Sequence, residues 1–249
     1  MTKYSLFLLL TCLFSLGTIY SYGDYYIDRI TGKQLGADGS ETNNLRVIDK
    51  REWDYVIEEK GGINSVPGIR ELHKNSYVIN FDENQIQKEI QVMTDDTMNE
   101  GLENQVFIVL NVNNGEIFAI RDWIPELKTN KEIIINTYGV GPNSAPRVGE
   151  GLMLLGQIHG HPKEMKDDQK NIRSVSRFDV EAAKELGITI FAIDAFHYHS
   201  KALHIHGVTK EGQINNFIGQ TLGRNGVNTF SFSNYFDTVL RTNNNPEVL

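Results

Sequence analysis

Two histidines one residue apart, His159 and His161, give this 249-residue sequence its clearest capacity for chemistry. An extended backbone repeats its side-chain direction every second residue, so both imidazoles project to one side and can offer two ligands to one ion. Pro162 follows and turns the chain away from the strand. A His-x-His pair by itself is better explained as two solvated histidines at a strand end. A third group alters the balance. Ser176-Arg177-Phe178-Asp179 opens a helix whose apolar stripe is Phe178, Ala182, Ala183 and Leu186. Asp179 lies on the edge of that stripe, in line with Ala183 and Leu186, so its carboxylate is directed inward and needs a partner. The same four residues spell a near capping box, with Ser176 as N-cap and Asp179 at the third position. The two roles coexist, because a helix N-terminus stabilises a carboxylate and leaves its outer oxygen available.

Two imidazoles and one carboxylate leave a tetrahedral Zn²⁺ with a fourth position for water, the composition of a catalytic site. Zinc lowers the pKa of that water toward neutrality. Another carboxylate must then carry a proton to a leaving amine, and Glu100, Glu103 and Glu116 stand upstream as candidates.

The remaining histidines have weaker claims. His197 and His199, then His204 and His206, again alternate on or beside expected strands. They could form a second metal site or hydrogen-bond a zinc ligand from behind, although alternating histidines on an exposed strand face need neither. His73 sits among charged residues and reads as solvated. Cys12 is the single cysteine, within the first segment, so a chain trimmed of that segment has no disulfide framework and no thiolate ligand. There is no Gly-x-Ser-x-Gly, phosphate loop or dinucleotide fingerprint. With 24 Lys+Arg against 32 Asp+Glu and no basic block, a nucleic-acid partner is disfavoured.

The elements that position these groups follow from periodicity and turn residues. Lys3 and the nearly charge-free run Tyr4 to Tyr20, ending at Ser21 and Gly23 before Asp24, read as a secretory signal peptide over 1–23. This implies a secreted or periplasmic protein, or a membrane-anchored one if the segment is retained. Residues 24–84 are turn-rich and read as short strands and hairpins, a small β-rich region. From Glu83 to about Met98 the spacing of Ile86, Ile90 and Met93 predicts an amphipathic helix. Val106–Val112 and Glu116–Ile120 form an antiparallel hairpin around Asn113-Asn114-Gly115. Strands are expected over Glu132–Tyr138, Leu152–His159, Ile188–Ala195 and Ala202–Val208, with a helix from Arg177 to Leu186 stopped by Gly187. The catalytic region spans 85–225, and 226–249 supplies a C-terminal helix and a frayed tail at Asn243-Asn244-Asn245.

His159-Gly160-His161-Pro162 followed by Ser176-x-x-Asp179, on strand, loop and helix, resembles the JAMM metallopeptidase motif of the JAB/MPN family. The resemblance covers residues 85–215. It implies an α+β fold with a cytidine-deaminase-like mixed sheet flanked by helices, and zinc-dependent hydrolysis of a peptide or isopeptide bond. It further implies that His159, His161 and Asp179 bind zinc, that Glu103 before an early core strand is the general base and acid, and that Ser176 steadies the oxyanion. The stretch Lys163 to Val175 is longer than the family's usual connection, and Glu103 lacks the glycine that often follows the family's glutamate. The turn at residues 32–39 loosely resembles segments preceding JAB-like domains in bacterial polymorphic toxin systems, so an exported toxin or effector is one alternative. A binding module that keeps the fold without catalysis is another. The expected partner is a peptide or protein substrate.

Overall fold

Capped helices and short, β-branched strands alternate through a computed structural model, which describes residues 23–121, 134–140, 143–162, 174–195, 202–222 and 229–242. The described residues form twelve strands and five helices. In chain order these are β1 (Tyr25–Asp28), β2 (Gln34–Ala37), β3 (Leu45–Ile48), α1 (Lys50–Glu59), α2 (Val66–Lys74), β4 (Ser76–Val78), β5 (Asn80–Phe81) and α3 (Glu83–Glu100). They continue with β6 (Gln105–Asn111), β7 (Glu116–Arg121), β8 (Arg147–Gly149), β9 (Leu152–Gly160), α4 (Arg177–Leu186), β10 (Thr189–Ile193), β11 (Ala202–Val208), β12 (Ile214–Leu222) and α5 (Phe232–Thr242). The class is mixed α+β, as the sequence implies. No helix among the described residues is long and apolar enough to cross a membrane. The expected leader, the His197–His199 pair, nearly all of the Lys163–Val175 stretch and the Asn243–Asn245 tail lie outside the described residues.

The main sheet runs β12-β11-β10-β9-β6-β7-β5, with β8 also paired to β9. Its central step is a parallel pair, β9 with β10, connected through α4; β6 lies antiparallel on the other side of β9. Both faces of this sheet are covered, which is why β6 and β10 are apolar along their length rather than alternating. On one face Ile108, Ile158 and Phe191 pack under Ile86, Ile90 and Met93 of α3 and Phe236 of α5. On the other, Phe107, Val109, Ile190 and Ala192 pack under Ala183 of α4.

The helix ends obey their caps. Asp82 accepts from Gln85 N at 3.0 Å to start α3, and Gly101 ends it with φ 68°. In α4 the full capping box is present, and Gly187 closes the helix with φ 67°. Side-chain alternation along β9 turns Gly160 toward α3 and the flanking histidines toward the α4 face. Gly160 is required there: a Cβ would lie 2.7 Å from Thr97 Oγ1 and 3.1 Å from Thr97 Cβ. Gly160→Val is therefore expected to push β9 off α3 and cost about 1–3 kcal/mol of stability, read as a lower urea midpoint with unchanged slope.

Two expectations are corrected. The region 24–84 is not only strands and hairpins, because it also contains α1 and α2. Their signals were the caps: Asp49 before Trp53 and Val56, and Ser65 followed by Pro67 in the first turn. The strands of this region form a sheet in the order β2-β1-β3-β4. One face of it meets the helices through Tyr26, Ile48, Trp53, Val56 and Leu72, while Ile27, Leu45 and Val47 join the main core. The strand expected over Glu132–Tyr138 is absent where it is described. Residues 134–140 make only a bridge between Tyr138 and Arg147, on the side of β8 away from β9.

Candidate metal centre

Three side chains from two elements converge on the α4 face. His159 and His161 are 2% and 4% exposed, and their Nε2 atoms are 3.1 Å apart. Asp179 Oδ1 lies 3.7 Å from His159 Nε2, and one ligand atom from each of the three residues falls within 4.8 Å of the others. Two ligands on a tetrahedral zinc with bonds of about 2.0–2.1 Å are roughly 3.3 Å apart, so these spacings fit one ion.

The hydrogen bonds behind the site favour the same use. Gln105 Nε2 donates to Ile134 O at 3.1 Å, which leaves Gln105 Oε1 to accept from Gln157 Nε2 at 3.0 Å. Gln157 must then present Oε1 to His159 Nδ1, 3.1 Å away. The chain of donors places the proton of His159 on Nδ1 and leaves the Nε2 lone pair facing His161 and Asp179. Two imidazole lone pairs at 3.1 Å repel unless a cation or a proton lies between them.

Asp179 makes the capping box that its sequence position suggested. Its Oδ2 accepts from Ser176 N at 2.5 Å, and its own N–H donates to Ser176 Oγ at 3.2 Å. That is the capping box, and it leaves Oδ1 turned to His159. Since Ser176 Oγ is an acceptor in the cap, its hydroxyl hydrogen remains for another partner.

Sheet register separates the three glutamates. Gln105 pairs with His159, and Gly160 N donates to Asn104 O at 3.0 Å. Glu103 comes one residue before Asn104, at the end of this pairing, and is 5% exposed. Glu100 is at the end of α3, where it accepts from Asn104 Nδ2. Glu116 starts β7 at the opposite end of the hairpin, about 20 Å along the strands. An open cavity of about 420 Å³ adjoins the group, reached past Asp179 and Gln157 and lined by Ile135, Phe178 and Leu186.

The other described histidines have partners within the protein. The His206 Nε2 faces Asp194 Oδ2 at 3.1 Å, both side chains being fully buried. His204 stacks edge-on against Phe217. Asp194, which the sequence reading missed together with Gln105 and Gln157, follows Ile193, whose carbonyl accepts from His161 N at 2.8 Å. It stands beside the site on the side away from Glu103. The signal that could have found Gln157 is its i−2 relation to His159.

His73 is not simply solvated. Its Nε2 lies 3.3 Å from Asp24 Oδ2 and 3.2 Å from Asp38 Oδ2, a second His/Asp group able to hold a cation by spacing alone. Its oxygens already have donors, however. Asp24 is paired with Arg46 and accepts from Asn44 N at 2.8 Å; Asp38 accepts from Tyr26 Oη at 2.8 Å and Ser40 N at 2.9 Å. Burial alone would raise both carboxyls. Hydrogen bonds from Thr42, Arg46 and Asn44 outweigh it at Asp24, and those from Ser40, Tyr26 and the Asp24 backbone outweigh it at Asp38, holding both below the ordinary carboxylate value. A depressed folded pKa gives stability that is full above the unfolded value, about 3.9, and lost as pH falls through the folded one. Thermal midpoints should therefore drop steeply below about pH 4, and less steeply in Asp38→Asn.

Neither a scan of protein-family models nor a search of curated proteins gives a match for this chain.

Proposed function

We propose that this chain is a zinc-dependent hydrolase of peptide or isopeptide bonds with a JAB/MPN-type fold and a JAMM-like site, exported from the cytoplasm. The observation that carries the reading is the meeting of His159 Nε2, His161 Nε2 and Asp179 Oδ1 on one face, with the Nε2 lone pair of His159 exposed by the Gln157 contact. His159, His161 and Asp179 would hold zinc, whose chemistry there is that of a Lewis acid able to acidify water and polarise a carbonyl. Glu103 takes the proton from the attacking water and returns it to the leaving amine. The Ser176 hydroxyl donates to the substrate oxygen as negative charge grows on it. Gln157 and Gln105 keep the His159 ring oriented, and the adjoining cavity receives the side chains of the substrate next to the cleaved bond.

A second reading, a non-catalytic binding module, draws on the capping box, which accounts for Asp179 without any metal. Metal analysis of the purified chain, followed by cleavage of a peptide library with and without chelator, decides between them. One equivalent of zinc and chelator-sensitive cleavage support the hydrolase. Zinc without cleavage supports the binding module, and absence of stoichiometric metal at neutral pH overturns both the zinc site and the hydrolase.

A further inference from the structure

The cluster around Asp24 has a charge deficit. The side chains of Asp24 and Asp38 are fully buried, and among the described residues the fixed positive charge beside them is the Arg46 guanidinium. His73, whose side chain is 32% exposed, adds charge only when protonated. Two carboxylates against one guanidinium leave one negative charge out of water, a costly state unless another cation joins it.

The Asp24 backbone nitrogen points into the same cluster, 3.0 Å from Asp38 Oδ1 and 3.1 Å from Ser40 Oγ. A peptide amide has one hydrogen for these two acceptors. An α-ammonium has three hydrogens and carries the charge that the cluster lacks. Ser21 and Gly23 are the small residues at the third and first positions before that nitrogen, the pattern a signal peptidase cuts after.

We propose that the chain is processed between Gly23 and Asp24, and that the new α-ammonium of Asp24 forms a buried ion pair with Asp38. This rests on the export part of the reading above and is independent of the zinc site. In the cut, water adds across the Gly23–Asp24 amide: its oxygen ends in the Gly23 carboxylate and both its hydrogens end on the Asp24 nitrogen, which becomes the ammonium, with a host signal peptidase as catalyst. The ion pair joins the start of β1 to the end of β2, while the Asp24 carboxylate accepts from Asn44 N just before β3. Processing thereby locks the small sheet.

The test exports the full chain and a second full chain carrying Gly-Ser-Gly inserted between Gly23 and Asp24, so that cutting leaves a spacer on the nitrogen. Intact mass and N-terminal sequencing of the first should give Asp24 as the first residue. At pH 7 the spacer form should melt at least about 5 °C lower. The groups facing the ammonium are Asp38 and Ser40, with the Asp24 carboxylate, Arg46, His73 and Tyr26 around them. Burial and the Asp38 bond hold the Tyr26 phenol far above its ordinary value, so it stays neutral. An amine with a carboxylate partner has a raised folded pKa. The difference should therefore be complete below the ordinary α-amino value of about 7.7–8.0 and vanish as pH rises through the raised one. It should vanish also when both chains carry Asp38→Asn. Equal midpoints at pH 7, or a mature chain starting elsewhere, overturn the ion pair. An exported, uncut chain overturns the processing reading as well, and zinc content and hydrolysis stand apart from each of these results.

Discussion

A Glu103→Gln protein is expected to retain its zinc and lose hydrolysis by about 10²–10⁴-fold, the usual share of a positioned general base. The amide is nearly isosteric with the carboxylate, so the buried position of Glu103 stays filled and packing is kept. What disappears is the ability to accept a proton and give it back. Glu116→Gln supplies the control, since Glu116 is exposed at the distant end of the hairpin, hydrogen-bonded to Asn114. Glu100→Gln separates the remaining candidate, because it alters a side chain tied to Asn104 outside the register pair. Zinc content by elemental analysis and turnover of a cleaved library peptide check all three. Full activity in Glu103→Gln, or a collapse in Glu100→Gln instead, would remove Glu103 from the role.

His161→Ala is expected to abolish stoichiometric zinc binding, since it deletes one of the three proposed ligands and leaves His159 facing Asp179 alone. The fold should survive, because the packing beneath the site belongs to Ile108, Ile158, Phe191 and the helices on the other face. Linkage makes the effect measurable without any substrate. With zinc at about 1,000 times its dissociation constant, the wild-type chain gains about 4 kcal/mol, so a chelator should lower its melting point and leave that of His161→Ala unmoved. Gln157→Ala should sit between the two, with zinc affinity reduced about 10–100-fold, because the His159 ring loses the acceptor that fixes its tautomer. A chelator shift equal in wild type and His161→Ala would mean that the metal is held elsewhere.

Local order was readable from the chain because it depends on near neighbours. The period of Ile86, Ile90 and Met93 marked α3, Asn-Gly marked the β6–β7 turn, and Ser176 with Gly187 bracketed α4 at the bounds observed. The same reasoning overlooked α1 and α2, whose apolar spacing is short and whose only strong marks are Asp49, Ser65 and Pro67. It also implies a strand in the run before Tyr138, where the described residues keep only one bridge to β8.

By itself the sequence determined that His159 and His161 share a side and that Asp179 both caps a helix and looks inward, since strand and helix periods are properties of the local backbone. The tertiary structure decided which glutamate is buried beside the β6–β9 pairing, which glutamines stand behind His159, and that Asp194 takes His206 while Asp24 and Asp38 take His73. Those choices depend on register between strands far apart in the chain. A shift of one residue would turn Gln105 to the opposite face, so its place is set by the burial of both sheet faces at once.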